Sequence, residues 1–414
     1  MSTTGAKIPR NASGGAASDF CNDAFFPGKK EALTPGRAAS RLGGIRGLRA
    51  HMSRPPGLSL STCDDNFGRP MELEASSESL SFAPSFTLSA SGTFSKEDFV
   101  IKKSGIVAIN HTEARRTGLQ LQDLELLEVL GKGASSLVRR AVHKPSQTQL
   151  AVKIINVFDK TKRDQLLREL RTLYTSQNYP WLVDFHDCLY DEGAMYIVLE
   201  YMDGGSLADV LQAAQLTGSS ALSESVLARL STRVLGGLIY LHRERHQVHR
   251  DVKPGNILLN TRGEVKISDF GLSAELDSTK EMCATFIGTH AYMSPERLGG
   301  KPYSFASDVW SLGITLVECA EGQYPYPSFS SANAFVLLSQ IINDPAPTLS
   351  TESFSPALVD FVARSLHKEP EHRPLAHELL EHPWLRMHDD ALRPFDFAAF
   401  VRTVNELRQP HAPR

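Results

Sequence analysis

The sequence has few of the features that mark secreted, zinc-binding or membrane proteins. Its 414 residues include only five cysteines, an odd number with no Cys-x-x-Cys pair. This argues against a disulfide framework and against a cysteine zinc site, and it indicates a reducing compartment. The longest apolar stretch, around Val309–Ala320, is interrupted by polar residues. It is too short to span a membrane and predicts a buried core helix.

Strong charge and an N-terminal targeting signal are also lacking. The net charge of −3 gives no general signal for binding to nucleic acid or to a membrane surface. No long apolar segment follows Met1, and position 2 is serine, so neither secretion nor myristoylation is expected. The length of 414 residues is enough for two or three domains, or for one two-lobed enzyme with a tail, and a hydrophobic content of 41% allows a large core.

Residues 1–97 are rich in Ser, Gly, Ala and Pro, with isolated apolar residues and no sustained period, which predicts disorder. Within about residues 41–60, several arginines, the last of them Arg54, precede Leu58 and Leu60. Cations followed by two alternating apolar side chains are typical of a docking segment that meets an acidic patch and an apolar groove. A solvated tail without a partner is the alternative.

A group of polar residues occupies the centre of the chain. Asp251, Lys253 and Asn256 stand at fixed offsets beside a Pro-Gly pair that excludes a helix. Residues 257–267 predict a short hairpin that ends at Asp269, so these side chains should lie close together. Two carboxylates, an amide oxygen and a cation are what phosphoryl transfer requires, for orienting a hydroxyl and for holding Mg²⁺ against phosphates. The alternative is that Asp and Asn only serve turns.

Three features nearer the N-terminus fit the same chemistry. Glycines within 131–138 let backbone N–H groups approach phosphates, although they also suit a hairpin turn. Lys153 lies in an apolar strand, where it is either functional or a lysine that reaches the surface. Glu169 shares the apolar face of a helix predicted by Leu166, Leu170 and Leu173. Because an unpaired buried carboxylate is costly, Lys153 is its natural partner.

Other elements can be placed by periodicity. Residues 196–199 predict a buried strand that ends in a Gly-containing linker suited to a hinge between lobes. Ser223 is expected to cap a helix whose core face contains an apolar series from Val226 to Leu241. Glu296 and Arg373 are expected to form a structural ion pair. Phe397, Phe400 and Val401 predict a short amphipathic helix, and 99–101 an edge strand for the following sheet.

The segment after Asp269 is long, polar and without period up to about residue 293, which is typical of a functional or mobile loop. Thr279 and Thr285 stand in it with five residues between them. A phosphate there would add negative charge that Arg250 could pair with. The alternative is ordinary loop hydroxyls, and Cys283 is interpreted as an ordinary free thiol.

Taken in order, these motifs resemble the eukaryotic protein kinase family. The resemblance rests on His249-Arg250-Asp251-Val252-Lys253-Pro254-Gly255-Asn256, on Asp269-Phe270-Gly271 and on the glycine and lysine motifs. It implies an α+β, bilobal kinase fold, with a small β-rich N-lobe, a larger helical C-lobe and a disordered N-terminal tail. The implied organisation is a disordered region 1–97, a partly ordered lead-in 98–122, a kinase domain 123–385 (N-lobe 123–203, C-lobe 204–385) and a C-terminal extension 386–414.

The resemblance also implies roles for particular residues. Asp251, Lys253 and Asn256 would be catalytic, and Asn256 and Asp269 would bind Mg²⁺. Leu199 would be the gatekeeper, with the backbone of Glu200 to Met202 against adenine. The residues implied to contact ATP are Leu130, Gly131, Lys132, Gly133, Ala134, Ser135, Ser136, Val138, Ala151, Lys153, Glu169, Leu199, Glu200, Met202, Leu258 and Asp269.

Two further stretches resemble MAP kinase kinases, namely residues 288–297 and the hinge 202–207. The Thr279-x5-Thr285 spacing is similar to that of the plant and protist branch. Ser136, in place of the third loop glycine, and Gly255, in place of a serine, depart from the family pattern without removing a catalytic group. The resemblance implies transfer of the ATP γ-phosphate to Thr and Tyr in a MAP kinase activation loop.

That family implies particular partners. The protein would be activated by an upstream MAP kinase kinase kinase at Thr279 and Thr285, and would bind its MAP kinase through Arg54, Leu58 and Leu60. ATP and Mg²⁺ are the implied cofactors, with a scaffold as a further partner, no nucleic acid and no membrane insertion. We expect a monomer in the cytoplasm, with the nucleus as a second compartment. The alternatives are another STE-type Ser/Thr kinase with a different substrate, or a non-catalytic kinase-fold scaffold.

Overall fold

We describe a computed structural model of the chain. The residues that it describes are 80–82, 86–88, 94–96, 99–102, 104–108, 119–133, 136–156, 166, 170, 172–176, 178–216, 218, 221–270, 290–329, 334–389 and 395–408. All of them belong to one compact unit. Within this part of the chain, no helix combines the length and the apolar character needed to cross a membrane.

Five short antiparallel strands precede the kinase-like region. They are β1 (Leu80–Phe82), β2 (Phe86–Leu88), β3 (Phe94–Lys96), β4 (Phe99–Lys102) and β5 (Gly105–Ala108), paired in chain order. The sequence predicted disorder up to residue 97 and an edge strand at 99–101 for the next sheet. The prediction for residues 1–79 concerns a part of the chain that the structure does not describe. Between residues 80 and 97 the structure contains β1, β2 and β3, which are too short to show a period in the sequence, and β4 pairs with β3 and β5 instead of with the next sheet.

The N-lobe is built on a second five-stranded antiparallel sheet in the order β6-β7-β8-β10-β9. Its strands are β6 (Leu124–Lys132), β7 (Ser136–His143), β8 (Thr148–Asn156), β9 (Phe185–Asp191) and β10 (Ala194–Glu200). Leu166 and Leu170 are helical, as are residues 172–175, and Leu166, Leu170 and Leu173 are buried, as their spacing predicts. Strand β5 is bonded to edge strand β9, where the Asp187 carboxylate accepts the Ile106 N–H at 3.0 Å.

The C-lobe is helical. Its helices are α1 (Leu207–Leu216), α2 (Glu224–Arg243), α3 (Pro295–Leu298), α4 (Ala306–Glu321), α5 (Ala334–Asn343), α6 (Pro356–Ser365), α7 (Ala376–Leu380) and α8 (Pro383–Met387). A further helix, α9 (Phe397–Arg408), follows the C-lobe in the chain. The fold is therefore the bilobal α+β arrangement that the sequence predicts. Helix α4 is buried along nearly its whole length, which confirms the predicted core helix.

Helix α2 shows how the sequence determines the C-lobe core. The predicted core face is confirmed, since its members are at most 2% exposed: Val226, Leu227, Leu230, Val234, Leu238 and Leu241. Ser223 precedes the helix as predicted, but its hydroxyl does not cap it. The neighbouring Glu224 carboxylate instead accepts the Ser355 N–H at 2.7 Å and the Trp384 indole N–H at 3.2 Å. A partly exposed carboxylate thus connects the start of α2 to two later helices.

The predicted ion pair between Glu296 and Arg373 is confirmed. The guanidinium meets the carboxylate through two bonds of 3.0 and 3.2 Å, and both side chains are almost fully buried. Arg373 also donates to the Ala306 carbonyl at the start of α4. The pair therefore holds α3, α4 and the segment before α7 together, and it has a structural role.

A small three-stranded sheet connects the hinge to the catalytic region. It contains β11 (Gly205–Ser206), β12 (Ile257–Leu259) and β13 (Val265–Ile267), in that order. The hairpin β12–β13 has the bounds that the apolar runs predict. The Ile267 N–H donates to the Trp181 carbonyl, and the Ile267 carbonyl accepts the Val183 N–H. The hairpin is thereby attached to the segment that leads into β9.

Candidate active site

The loop that carries Asp251 is held in place by a buried carboxylate on α4. Asp308 is fully buried and accepts the backbone N–H groups of His249 at 2.7 Å and Arg250 at 2.8 Å. Its Oδ2 atom also lies 2.9 Å from His242 Nε2. Arg250 has φ of 75°, a left-handed conformation that costs a non-glycine residue free energy. Asp308 supports this strained backbone directly before Asp251.

His249 is a neutral structural residue. Its Nδ1 atom accepts the Asp251 N–H at 3.2 Å, so Nε2 carries the proton and donates to the Ser268 carbonyl at 3.0 Å. Burial lowers the pKa of His249, and this effect outweighs the opposing effect of the nearby carboxylates. The imidazole therefore links the Asp251 loop to the end of β13 and remains uncharged at neutral pH.

Asp251, Lys253 and Asn256 are brought together as the sequence predicts. Lys253 Nζ lies 2.8 Å from Asp251 Oδ2, and Asn256 Nδ2 donates to the same oxygen at 2.7 Å. Asn256 Nδ2 also donates to the Asp251 carbonyl at 2.9 Å. The Asp251 side chain is 18% exposed. A carboxylate held by two donors yet open to solvent is suited to orient and deprotonate an incoming hydroxyl.

Hairpin register places Asp269 beside this group. Ile257 faces Ile267, and the Ser268 N–H donates to the Asn256 carbonyl at 2.9 Å, so Asp269 follows directly. Asp269 Oδ1 lies 2.8 Å from Nζ of Lys153, which is only 2% exposed. Burial raises the pKa of Asp269, but the charge of Lys153 and its hydrogen bond lower it more, so the pKa lies below its usual range. Asp269 is therefore ionised at neutral pH.

The oxygens of Asn256 and Asp269 fit a divalent metal ion. Asn256 uses its amide nitrogen for Asp251, and Asp269 uses Oδ1 for Lys153. Among the described residues, Asn256 Oδ1 and Asp269 Oδ2 accept no hydrogen bond. One amide and one carboxylate oxygen are the hard ligands that Mg²⁺ takes together with phosphate oxygens. These two side chains could hold such an ion.

The glycine-rich turn lies between β6 and β7. The Gly133 N–H donates to the Ser136 carbonyl at 2.8 Å, which closes the turn. A Cβ at Gly133 would lie 2.8 Å from Ser136 Oγ, closer than atoms normally approach, whereas a Cβ at Gly131 would meet open space. Ser136, which replaces the third family glycine, thus takes part in the turn through its carbonyl, and a side chain at position 133 would require the Ser136 hydroxyl to rotate away.

Sheet register aligns the other residues predicted to contact ATP. Val138 pairs with Lys153, and Ala151 pairs with Leu199, on three adjacent strands. Met202 is buried, with 4% of its surface exposed. Leu258 lies in β12 and pairs with Ser206 of β11, the strand that follows the hinge. The exposed Leu130 and Lys132 end β6 beside Gly131. The structure places these side chains in the correct elements for a nucleotide cleft, and their contacts with ATP stay predictions.

Glu200 shows an unforeseen arrangement at the hinge. Its Oε1 atom accepts Lys266 Nζ at 2.6 Å and the Asp184 N–H at 2.8 Å. The side chain thus bonds to β13, so only the backbone of Glu200 is available to a ligand. The sequence does not predict this ion pair, because a lysine between two apolar residues of a short strand does not indicate which carboxylate it will bind.

Several predicted site residues lie outside the described part of the chain. They are Ala134, Ser135, Glu169, Thr279, Thr285, Arg54, Leu58 and Leu60. The predicted Lys153–Glu169 pair, the phosphorylation sites and the docking segment therefore stay predictions. Asp308 is the functional residue that motif reasoning missed. Its signal was an aspartate at the start of an otherwise apolar helix, where a buried carboxylate requires partners.

Comparison with known proteins agrees with this geometry. The sequence matches the protein kinase domain over residues 124–385. It is 42% identical to mitogen-activated protein kinase kinase 3 of Arabidopsis thaliana over 77% of the chain, and this alignment spans 60% of that protein's length. It is 41% identical to mitogen-activated protein kinase kinase 2 of the same plant, covering 73% of this chain and 85% of that one.

A relative from outside plants gives the same result. The chain is 39% identical to the dual specificity mitogen-activated protein kinase kinase dSOR1 of Drosophila melanogaster, covering 71% of this chain and 77% of the relative. Kinases of this family use ATP and a divalent metal ion. The order of the motifs, the geometry of the site and these similarities lead to one conclusion: the chain belongs to the protein kinase family and, within it, to the MAP kinase kinases.

Proposed function

We propose that this protein transfers the γ-phosphate of ATP to a threonine and a tyrosine in the activation loop of a MAP kinase. The observation that carries the proposal is the arrangement of Asp251, Lys253 and Asn256 directly beside the Asp269–Lys153 pair. The relatives' names, which describe dual specificity MAP kinase kinases, support the choice of substrate. Cytoplasmic and nuclear localisation and action as a monomer, with a scaffold as partner, are part of the same proposal.

Each charged group has a role that its environment suits. Asp251 accepts the proton of the substrate hydroxyl and orients its oxygen toward the γ-phosphorus. Lys253, 2.8 Å from Asp251, places its charge where the transferred phosphoryl group gains negative charge. Because Lys253 and Asn256 both bond the same carboxylate oxygen, Asp251 keeps its orientation before the substrate arrives.

The nucleotide side of the cleft is served by separate groups. Lys153, buried beside Asp269, binds the α- and β-phosphates, and the glycine turn presents backbone N–H groups to them. Asn256 and Asp269 would hold Mg²⁺, which would neutralise charge on the phosphate oxygens. The adenine lies between the strands that carry Ala151 and Leu199 and against the backbone of Glu200 to Met202.

Substrate choice and activation depend on segments that flank the catalytic core. Arg54, Leu58 and Leu60 form a basic and apolar segment that suits an acidic patch and a groove on the MAP kinase. Phosphates added by an upstream kinase at Thr279 and Thr285 supply charge that Arg250 can pair with, next to Asp251.

The test is a phosphorylation assay on kinase-inactive MAP kinases, with the modified sites identified by mass spectrometry. A Thr279→Asp/Thr285→Asp variant is measured beside the wild type. Phosphate on both the activation-loop threonine and tyrosine, faster with the variant, is the expected result. Activity on a generic protein but on no MAP kinase would assign the chain to another STE-type kinase.

The docking segment is tested in the same assay. Leu58→Ala/Leu60→Ala should slow phosphorylation of the MAP kinase and leave a short generic peptide unaffected, because the peptide does not use the segment. Equal losses on both substrates would contradict the docking role. A Ser59→Ala variant, which changes the residue between the two leucines, is the matched control.

A further inference from the structure

Helix α9 lies beyond residue 385, where the match to the protein kinase domain ends, yet it contacts the hinge. Phe397, Phe400, Val401 and Val404 form its buried face and belong to the same core cluster as α1 and α2. The helix is not a loose terminal extension, because its apolar face is at most 9% exposed. The helix is therefore packed firmly beside the hinge.

Two polar side chains of α9 bond to the hinge backbone. Asn405 Nδ2 donates to the Asp203 carbonyl at 2.9 Å, and Arg408 Nη1 donates to the Gly204 carbonyl at 3.0 Å. Arg408 Nη2 also lies 3.3 Å from Oδ1 of Asp209, at the start of α1. One helix therefore satisfies two consecutive hinge carbonyls and joins them to the first helix of the C-lobe.

Apolar packing brings the two elements into close contact. A Cβ at Gly204 would lie 2.6 Å from Val401 Cγ1 and 2.8 Å from the Leu259 carbonyl. The absence of a side chain at Gly204 lets both α9 and β12 approach its backbone, and the Gly204 N–H donates to the Leu259 carbonyl of β12 at 2.9 Å. The hinge turn is thus in close contact with both a helix and a strand.

The turn 203–205 directly follows the backbone of Glu200 to Met202. Its own hydrogen bond, from the Gly205 N–H to the Met202 carbonyl at 3.1 Å, fixes only part of it. Without α9 the carbonyls of Asp203 and Gly204 would bond to water, and the turn would gain conformational freedom. Such freedom would reach the adjacent peptide groups and weaken ordered hydrogen bonds to a nucleotide base.

We infer that α9 acts as a hinge clamp, in which Asn405 and Arg408 are positioning residues for nucleotide binding. The inference rests on the proposed placement of adenine against the backbone of Glu200 to Met202. Because these residues touch the hinge and not the reacting atoms, they should affect the affinity for ATP and leave the rate of phosphoryl transfer at saturation nearly unchanged. The affinity for the protein substrate should not depend on them.

The test compares Asn405→Ala/Arg408→Ala with a Glu406→Ala control, which changes an exposed residue of the same helix. Loss of two partly exposed hydrogen bonds should raise the KM for ATP, and the Kd for a fluorescent ATP analogue, about three- to ten-fold. The kcat should change less than two-fold. Arg408→Lys, which keeps a cation near Asp209, should recover part of the affinity.

Two outcomes would contradict the role of Asn405 and Arg408. An ATP Kd within two-fold of that of the Glu406→Ala protein, or a loss confined to kcat, would overturn the clamp. If the double variant does not fold, Asn405→Ala alone is judged by the same criteria, with a smaller shift of about two- to five-fold. The assay uses the full chain throughout.

A second variant separates failure of the clamp from failure of the adenine placement. Leu199→Ala enlarges the space beside the proposed base and should allow an N6-benzyl ATP analogue to bind. If this gain is absent, the adenine placement is wrong and the clamp loses its basis. If the gain is present but Asn405→Ala/Arg408→Ala has no effect on ATP affinity, the clamp alone is refuted.

Discussion

The substitution Asp308→Asn tests how the catalytic loop is held. The carboxylate accepts three hydrogen bonds, from His249 N–H, Arg250 N–H and His242, within a fully buried site. An asparagine keeps the shape but has only one accepting oxygen, so its NH₂ group would face a donor. Because Oδ2 accepts two of the three bonds, the favourable orientation keeps the asparagine oxygen there and turns the NH₂ group toward the Arg250 N–H. The loss of this one bond to a charged acceptor predicts a destabilisation of about 1.5–3 kcal/mol.

Activity should fall beyond the loss of stability. Arg250 adopts φ of 75°, and its N–H bond to Asp308 opposes relaxation of this strained conformation. When the bond is lost, the backbone before Asp251 relaxes and the carboxylate moves away from the hydroxyl that it orients. We expect turnover to fall at least about ten-fold, equivalent to 1.4 kcal/mol, at a temperature where the variant is folded.

Urea unfolding followed by circular dichroism measures the first effect, and initial phosphorylation rates measure the second. Asp360→Asn is the matched control, because Asp360 also accepts from a histidine, His382, but is 50% exposed. This control should lose less than about 1 kcal/mol. A free energy of unfolding for Asp308→Asn within 1 kcal/mol of the wild type, with full turnover, would refute the reasoning.

Three further predictions follow from buried groups. Arg373→Ala leaves the Glu296 carboxylate buried without its partner and should lower the free energy of unfolding by about 3–5 kcal/mol in urea, whereas an equally stable variant would show that the pair is dispensable. Gly236→Ala places a Cβ 2.7 Å from Trp181 Cζ3 and should cost about 1–3 kcal/mol in the same assay; no loss would mean that the ring moves freely. Because the folded pKa of His249 is lowered below the unfolded value of about 6.5, the unfolded state binds more protons, and stability should fall as pH drops below about 6.5. Unfolding at several pH values should show a weaker pH dependence for a His249→Asn variant, and an unchanged slope would contradict this assignment.

The sequence predicts the C-lobe well because its signals there are local. The apolar face of α2 repeats at helical spacing along twenty residues, and all six predicted members are buried. The hairpin formed by β12 and β13 combines two apolar runs with a Gly-containing turn, so both its position and its register follow from the chain. That hairpin places Asp269 near Asn256 and Asp251, because the Ser268 N–H donates to the Asn256 carbonyl.

Other features depend on contacts between distant residues. The sheet β1–β5 was missed because its strands are short and gain their hydrogen bonds only from one another. Asp308 bonds to residues 58 and 59 positions earlier, and Lys266 to Glu200, 66 positions earlier. The apolar face of α9 was predicted, but its contact with the hinge was not. Local sequence periodicity cannot predict such pairs. Burial of a charged side chain requires a partner, but the sequence around that side chain does not show which residue the partner is.

The most direct test of the central claim is the substitution Asp251→Ala, with phosphoryl transfer and ATP binding measured on the same protein. Asp251 contacts Lys253 and Asn256 and in the proposed mechanism acts on the substrate hydroxyl, not on the nucleotide, so ATP should bind with an affinity within about three-fold of the wild type. Transfer to a MAP kinase should fall at least about 100-fold, since the group that orients the hydroxyl is gone. Transfer at the wild-type rate, with ATP still bound, would contradict the role of Asp251 and the catalytic arrangement built around it.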